Sequence, residues 1–170
     1  MIHHPKSQIE SRGLIVAALA ASVLIVTPAL ATPGTGFAGS PIVNGQFGTL
    51  DVKTAGEKTD HWGMILKTKD DTDVGSDRLT VQPGGFSGWH AHPAAVFVTV
   101  TQGSIIWYDG SNPLCTPHTY VAGNSFIEDA YRVHNVQNAS NSATAEFIAI
   151  RINPTGVGFR LDRPEPNNCN

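Results

Sequence analysis

The chain has 170 residues, a net charge of −3 with its histidines neutral, 41% hydrophobic and only 15% charged side chains. That length leaves room for one domain once any leader is removed. A mildly acidic chain without a basic run argues against nucleic acid as a partner, because phosphate recognition clusters Lys and Arg.

In chain order, the first feature is "LIVAALAASVLIV", residues 14–26, preceded by Lys6 and Arg12 and followed by "TPALA" at 27–31. A basic start, a short apolar core and small residues at Ala29 and Ala31 read as a secretory signal peptide over residues 1–31. The apolar run falls short of the roughly 20 residues a membrane span needs. The expectation is therefore a secreted, periplasmic or cell-envelope protein with no membrane attachment after cleavage. Residues 32–41, rich in Thr, Pro, Gly, Ser and Ala, read as a flexible linker. This leaves 42–170 as the folded domain.

Beyond the linker there is almost no helical periodicity. Short runs rich in Val, Ile, Thr, Phe and Tyr recur at 50–54, 61–69, 77–83, 95–102, 104–109, 118–122, 125–129, 132–138 and 143–152. Gly, Pro, Asn and Asp separate them. Many short strands with turn signals between them predict an all-β sandwich or barrel. "TQGS" at 101–104 suggests a hairpin with Gly103 at its corner. Edge strands left by such a fold make a homodimer plausible. Phe97, Phe126 and Phe147 read as core, as does Trp89.

Two cysteines remain, Cys115 and Cys169. In an exported chain they read as one disulfide that ties the C-terminal tail to a mid-chain loop.

The chemistry lies in the histidines. Successive strand side chains alternate faces, so His90 and His92 point the same way. His134 sits in a separate strand. If that strand neighbours the pair, three imidazoles converge, and imidazole is the commonest metal ligand. The bland alternative, surface or backbone-bonded histidines, gives the same letters. His61 and His118 are isolated and read as surface or packing residues. No nucleophile elbow and no phosphate loop occurs. "NAS" at 138–140 matches a glycosylation acceptor, but Asn138 falls inside the strand that carries His134.

The spacing Gly84, His90, His92, position 96 and Gly103 resembles the first motif of the cupin superfamily. Gly123, Asp129, His134 and Asn138 resemble its second motif, and the resemblance covers about residues 75–150. It implies a double-stranded β-helix, a jelly-roll barrel, with His90, His92 and His134 as inward metal ligands. The metal would be a divalent ion: Fe, Mn, Ni or Zn. The departures matter as much. Val96 stands where the family has a Glu ligand, and Asp129 and Tyr131 stand where it has Pro and Gly.

Three consequences of Val96 remain open. The site is a three-histidine centre of the dioxygenase type, acting on a small oxygenated substrate. Or it has lost its metal and the barrel is a metal-independent small-molecule-binding module, or only an envelope scaffold. Or a replacement acid, Glu128 or Asp129, reaches the site.

Overall fold

The computed structural model describes residues 31–54 and 62–169. The signal-peptide reading, Ala31 apart, and His61 lie outside them. The strands run β1 (Thr35–Phe47), β2 (Asp51–Lys53), β3 (Ile65–Lys67), β4 (Thr72–Phe86), β5 (His90–Ala91), β6 (Val96–Gln102), β7 (Ser104–Asp109), β8 (His118–Val121), β9 (Ser125–Glu128), β10 (His134–Asn138), β11 (Ala145–Pro154) and β12 (Leu161–Asp162). No helix occurs among the described residues.

Two antiparallel layers result. One runs β1–β4–β11–β6–β9 and the other β8–β7–β10–β5–β12. They join along one seam, where Gln137 of β10 pairs with Phe86 at the end of β4. The result is an all-β, nearly closed jelly-roll barrel, a double-stranded β-helix. β2 and β3 form a separate two-stranded ribbon.

Alternation fills the barrel. Val96, Val98 and Val100 of β6 point inward and are nearly solvent-free, while the residues between them face out. Leu79 and Val81, Ile105 and Trp107, Val136, and Phe147 and Ala149 complete the core from β4, β7, β10 and β11. Each fully buried Val or Leu stabilises the fold by roughly 1.5–3 kcal/mol. Phe126 packs on this core and Phe147 lies in it. Trp89 is buried as well, its ring beside Gly110.

Three expectations are corrected. Phe97 is 43% exposed, because it shares its face with Thr99 and not with the valines. Residues 32–41 are not a linker: β1 starts at Thr35 and pairs along the length of β4. Its small polar residues suit a strand whose side chains mostly face solvent and whose stability comes from the backbone ladder. Gly103 is not a hairpin corner either. β6 pairs with β9 and β11, while β7 pairs with β8 and β10. The left-handed Gly103, φ 67°, turns the chain from one layer to the other, a conformation glycine adopts at no steric cost.

Cys115 and Cys169 form a disulfide. It holds the tail after β12, which also donates from Arg163 N–H to the Trp89 carbonyl at 3.0 Å. We expect the Cys115→Ser, Cys169→Ser double variant to lose about 2–4 kcal/mol of stability, since the loop it opens is long. Denaturant unfolding under non-reducing conditions reads this; an unchanged midpoint would contradict it.

Candidate metal centre

β5 is short but it sets the site. His90 opposes His134 of β10 on one side and Asp162 of β12 on the other. His92 follows on the same face two residues later. All three imidazoles are buried, and His134 is wholly inaccessible. Their ring centroids stand 4.3 Å (His90–His134), 4.9 Å (His90–His92) and 5.1 Å (His92–His134) apart. One nitrogen from each lies within 4.8 Å of the others.

The other nitrogen of each ring is committed. Nδ1 of His90 donates to the Gly88 carbonyl, that of His92 to the Phe159 carbonyl, and that of His134 to the Arg132 carbonyl, each at 2.9 Å. A carbonyl only accepts, so each Nδ1 carries a proton and Nε2 is the nitrogen each ring has left to face an ion. Backbone acceptors of this kind fix the tautomer of metal-ligating histidines.

Each acceptor is itself held. Gly88 adopts φ 70°, and a Cβ there would meet Gly34 N at 2.8 Å and collide with the Thr32 carbonyl. Phe159 stacks on His92 at 4.3 Å, with the Arg151 guanidinium 5.4 Å from its own ring centre. Arg132 is clamped by Asp109 at 2.6 Å and Asp129 at 2.8 Å. Those hydrogen bonds hold its pKa above the ordinary arginine value.

The two acids proposed from sequence part company. Glu128, the last residue of β9, is buried and faces the imidazoles. Its carboxylate oxygens lie 3.2 Å from Nε2 of His92 and 3.2 Å from Nε2 of His134. Asp129, one residue on, faces solvent and pairs with Arg132 instead. It is therefore not placed as a ligand. Glu128 sits directly across the β6–β9 ladder from Val96, so a carboxylate faces the imidazoles from the strand beside position 96.

The electrostatics follow from burial and this acid. Burial comes first for His90, reinforced by His134, Arg160 and His92, and pushes its pKa down to about 2. His90 is therefore a neutral donor at any ordinary pH. Burial pushes the Glu128 pKa up, but the attraction and hydrogen bonding of His134 and His92 outweigh it, and the group stays ionised. His134 shows the mirror image: burial lowers its pKa, and Glu128 more than reverses that. The Nε2 of His134 still lacks a hydrogen bond of good geometry despite its distance to Glu128. An unpartnered, buried imidazole nitrogen facing two others and a carboxylate fits a divalent cation. Nitrogen and carboxylate donors suit Fe, Mn, Ni or Zn.

Tyr131 takes φ 59° and its N–H donates to the His92 carbonyl at 2.7 Å. The left-handed backbone expected of a glycine is thus kept without one, at a cost of roughly 1–2 kcal/mol. Asn138 is buried, its side-chain amide 2.8–3.1 Å from the carbonyls of Val81, Gln82 and Ala143. It ties β10 to the strands beside it and is not available as a glycan acceptor. His118 is exposed on β8 and stands outside the cluster. Sequence reading missed the third wall. Phe159 and Arg160 precede β12 in a segment whose letters carry no strand pattern.

Residues 77–151 match the model of the cupin domain family. No curated protein matches the chain. Among solved structures, the cysteine peptidase peruvianin-I from Thevetia peruviana is 21% identical, with a TM-score of 0.45 over 54% of this chain and 56% of that one. A cupin-like protein from Thermotoga maritima is 18% identical, with a TM-score of 0.46 over 54% and 65%. A protein with a double-stranded β-helix domain from Klebsiella pneumoniae is 20% identical, with a TM-score of 0.43 over 68% and 85%. The chain thus spans less than two thirds of the length of the first two.

Proposed function

We propose that this chain is an exported cupin whose barrel holds one divalent metal on His90, His92, His134 and Glu128, and that it acts there on a small oxygenated substrate. One observation carries the reading. Three buried imidazole nitrogens lie within 4.8 Å of one another, the Glu128 carboxylate stands 3.2 Å from two of them, and every Nδ1 is tied to a backbone carbonyl. Without a cation the Nε2 of His134 is buried with no hydrogen-bond partner of good geometry, which is costly. The disulfide favours export, because such bonds persist in oxidising compartments.

A divalent ion bound here supplies Lewis acidity, or redox chemistry if it is iron or manganese. The chain's own residues do the rest. To hold an ion, His90, His92 and His134 would each give an unprotonated nitrogen and add no charge of their own. Glu128 offsets one positive charge and is placed to accept a proton near His92 and His134. The barrel wall excludes bulk water and strengthens each of these interactions. A cavity of about 490 Å³ opens onto His90, His92 and Glu128, which is within the usual size for a small-molecule site.

Thermal unfolding with and without metal tests this. At about 100 times Kd, a ligand that binds only the folded state stabilises it by about 2.7 kcal/mol, or roughly 5–10 °C in Tm for a domain this size. Fe(II), Mn(II), Ni(II) and Zn(II) should include at least one ion giving that rise, reversed by chelator. No shift with any of the four would overturn the reading.

A further inference from the structure

We infer that the substrate of this site is a monocarboxylate with an apolar body, its carboxylate held between the metal position and Arg160. The inference rests on the metal reading above and names what that site takes. Among the residues lining the cavity, Arg160 is the one Lys or Arg. Its Nε donates to Asp162 Oδ1 at 2.6 Å and its Nη2 to the Ser87 carbonyl at 2.9 Å. These two bonds fix the guanidinium plane. Nη1 makes no hydrogen bond among the described residues. A guanidinium offers five donors, so an unused edge remains, of the shape that grips a planar carboxylate in two-point fashion.

The position is costly unless an anion comes between. The Arg160 guanidinium lines the same cavity as His90 and His92. It therefore opposes a divalent ion on the same rings. Charges then count as follows. The ion brings two positive charges, Glu128 removes one, and Arg160 with Asp162 sums to zero. One uncompensated positive charge remains in a low-dielectric pocket, and a monoanionic ligand neutralises it. The body of the ligand is set by the walls. Phe37, Leu79, Val136, Phe147 and Ala149 also line the cavity, and they offer no hydrogen-bonding side chain. A polyhydroxylated or dianionic molecule would leave polar groups unpaired there.

The test compares hexanoate and benzoate with hexanamide and benzamide by calorimetric titration, on metal-loaded and on chelator-stripped protein of measured metal content. The amides match in shape and lack the charge. The expected result is that at least one carboxylate binds, that its amide binds at least about tenfold more weakly, and that Arg160→Gln removes about tenfold or more of the carboxylate affinity. Metal content should not fall in Arg160→Gln, the amide should lose less affinity than the carboxylate, and Arg160→Lys should recover only part of the carboxylate affinity, because it keeps the charge and loses the fork. Equal binding of acid and amide, binding of neither, or full carboxylate affinity in Arg160→Gln would overturn the inference. If the wild type takes up no metal, the metal reading fails separately, and the stripped protein still reports whether Arg160 selects the carboxylate.

Discussion

His134→Ala is expected to remove divalent-metal binding, by about 100-fold or more in affinity, since even outer-shell losses at such sites cost 10–100-fold. The ring is wholly buried and opposes His90 across the β5–β10 ladder, so no neighbouring donor replaces it. The variant also strands Glu128 with one imidazole partner in place of two. Breaking a buried charged pair costs about 3–5 kcal/mol, so the metal-free variant should unfold earlier as well. The two effects separate by experiment: competition titration against a chromophoric chelator reads the affinity, and denaturant unfolding reads the stability. His118→Ala, on the exposed edge strand β8, should leave both unchanged. Metal affinity of His134→Ala within about threefold of wild type would remove this residue from the centre.

The second large effect concerns the displaced acid. Glu128→Gln keeps the shape and loses the charge, and metal affinity should fall about 10–100-fold, the order expected when a charge-assisted contact to a bound ion is lost. The β6–β9 register makes a stronger test available. Val96 and Glu128 are cross-strand partners, both facing inward and both nearly solvent-free. Side chains so placed have Cβ atoms about 4.5–5.5 Å apart, so exchanging them moves the carboxylate by about one side-chain width. The exchange variant Val96→Glu, Glu128→Val should regain most of the affinity lost in Glu128→Val alone. Val96→Glu alone buries a second carboxylate beside the first and should destabilise the metal-free fold by several kcal/mol, as an unpaired buried charge does. If Glu128→Gln binds metal as the wild type does, the carboxylate is only a partner of the imidazoles.

Much of this was legible in the letters, and the failures have physical causes. β6, β7, β9, β10 and β11 were expected within a few residues, because each falls in a short run of β-branched and aromatic residues bounded by turn residues. The spacing of His90, His92 and His134 carried both the barrel and the cluster. β1 was missed because its composition mimics a linker; strand pairing with β4 is a backbone property that side chains do not announce. β12 was missed for a similar reason, and with it the Phe159 carbonyl and Arg160, whose roles depend on a tail returning from far along the chain.

Two errors were avoidable by parity. In "SFIED" (125–129), Phe126 and Glu128 share a face, so a core Phe126 implies an inward Glu128 and an outward Asp129. In "VFVTVTQ" (96–102), Phe97 shares its face with Thr99 and Thr101, which places it outside. Gly103 was read as a hairpin corner, because a corner between layers and a hairpin turn look alike in sequence. Only the pairing partners of β6 and β7 tell them apart.

The central claim is that four side chains from β5, the loop after it, β9 and β10 form one metal centre. Elemental analysis by mass spectrometry tests it most directly. The protein would be stripped with chelator, reconstituted in turn with Fe(II), Mn(II), Ni(II) and Zn(II), and desalted. The account predicts about one ion per chain for at least one metal, and close to none in His134→Ala. Less than about 0.1 ion per chain of every metal in the wild type, with the fold intact by circular dichroism, would contradict it.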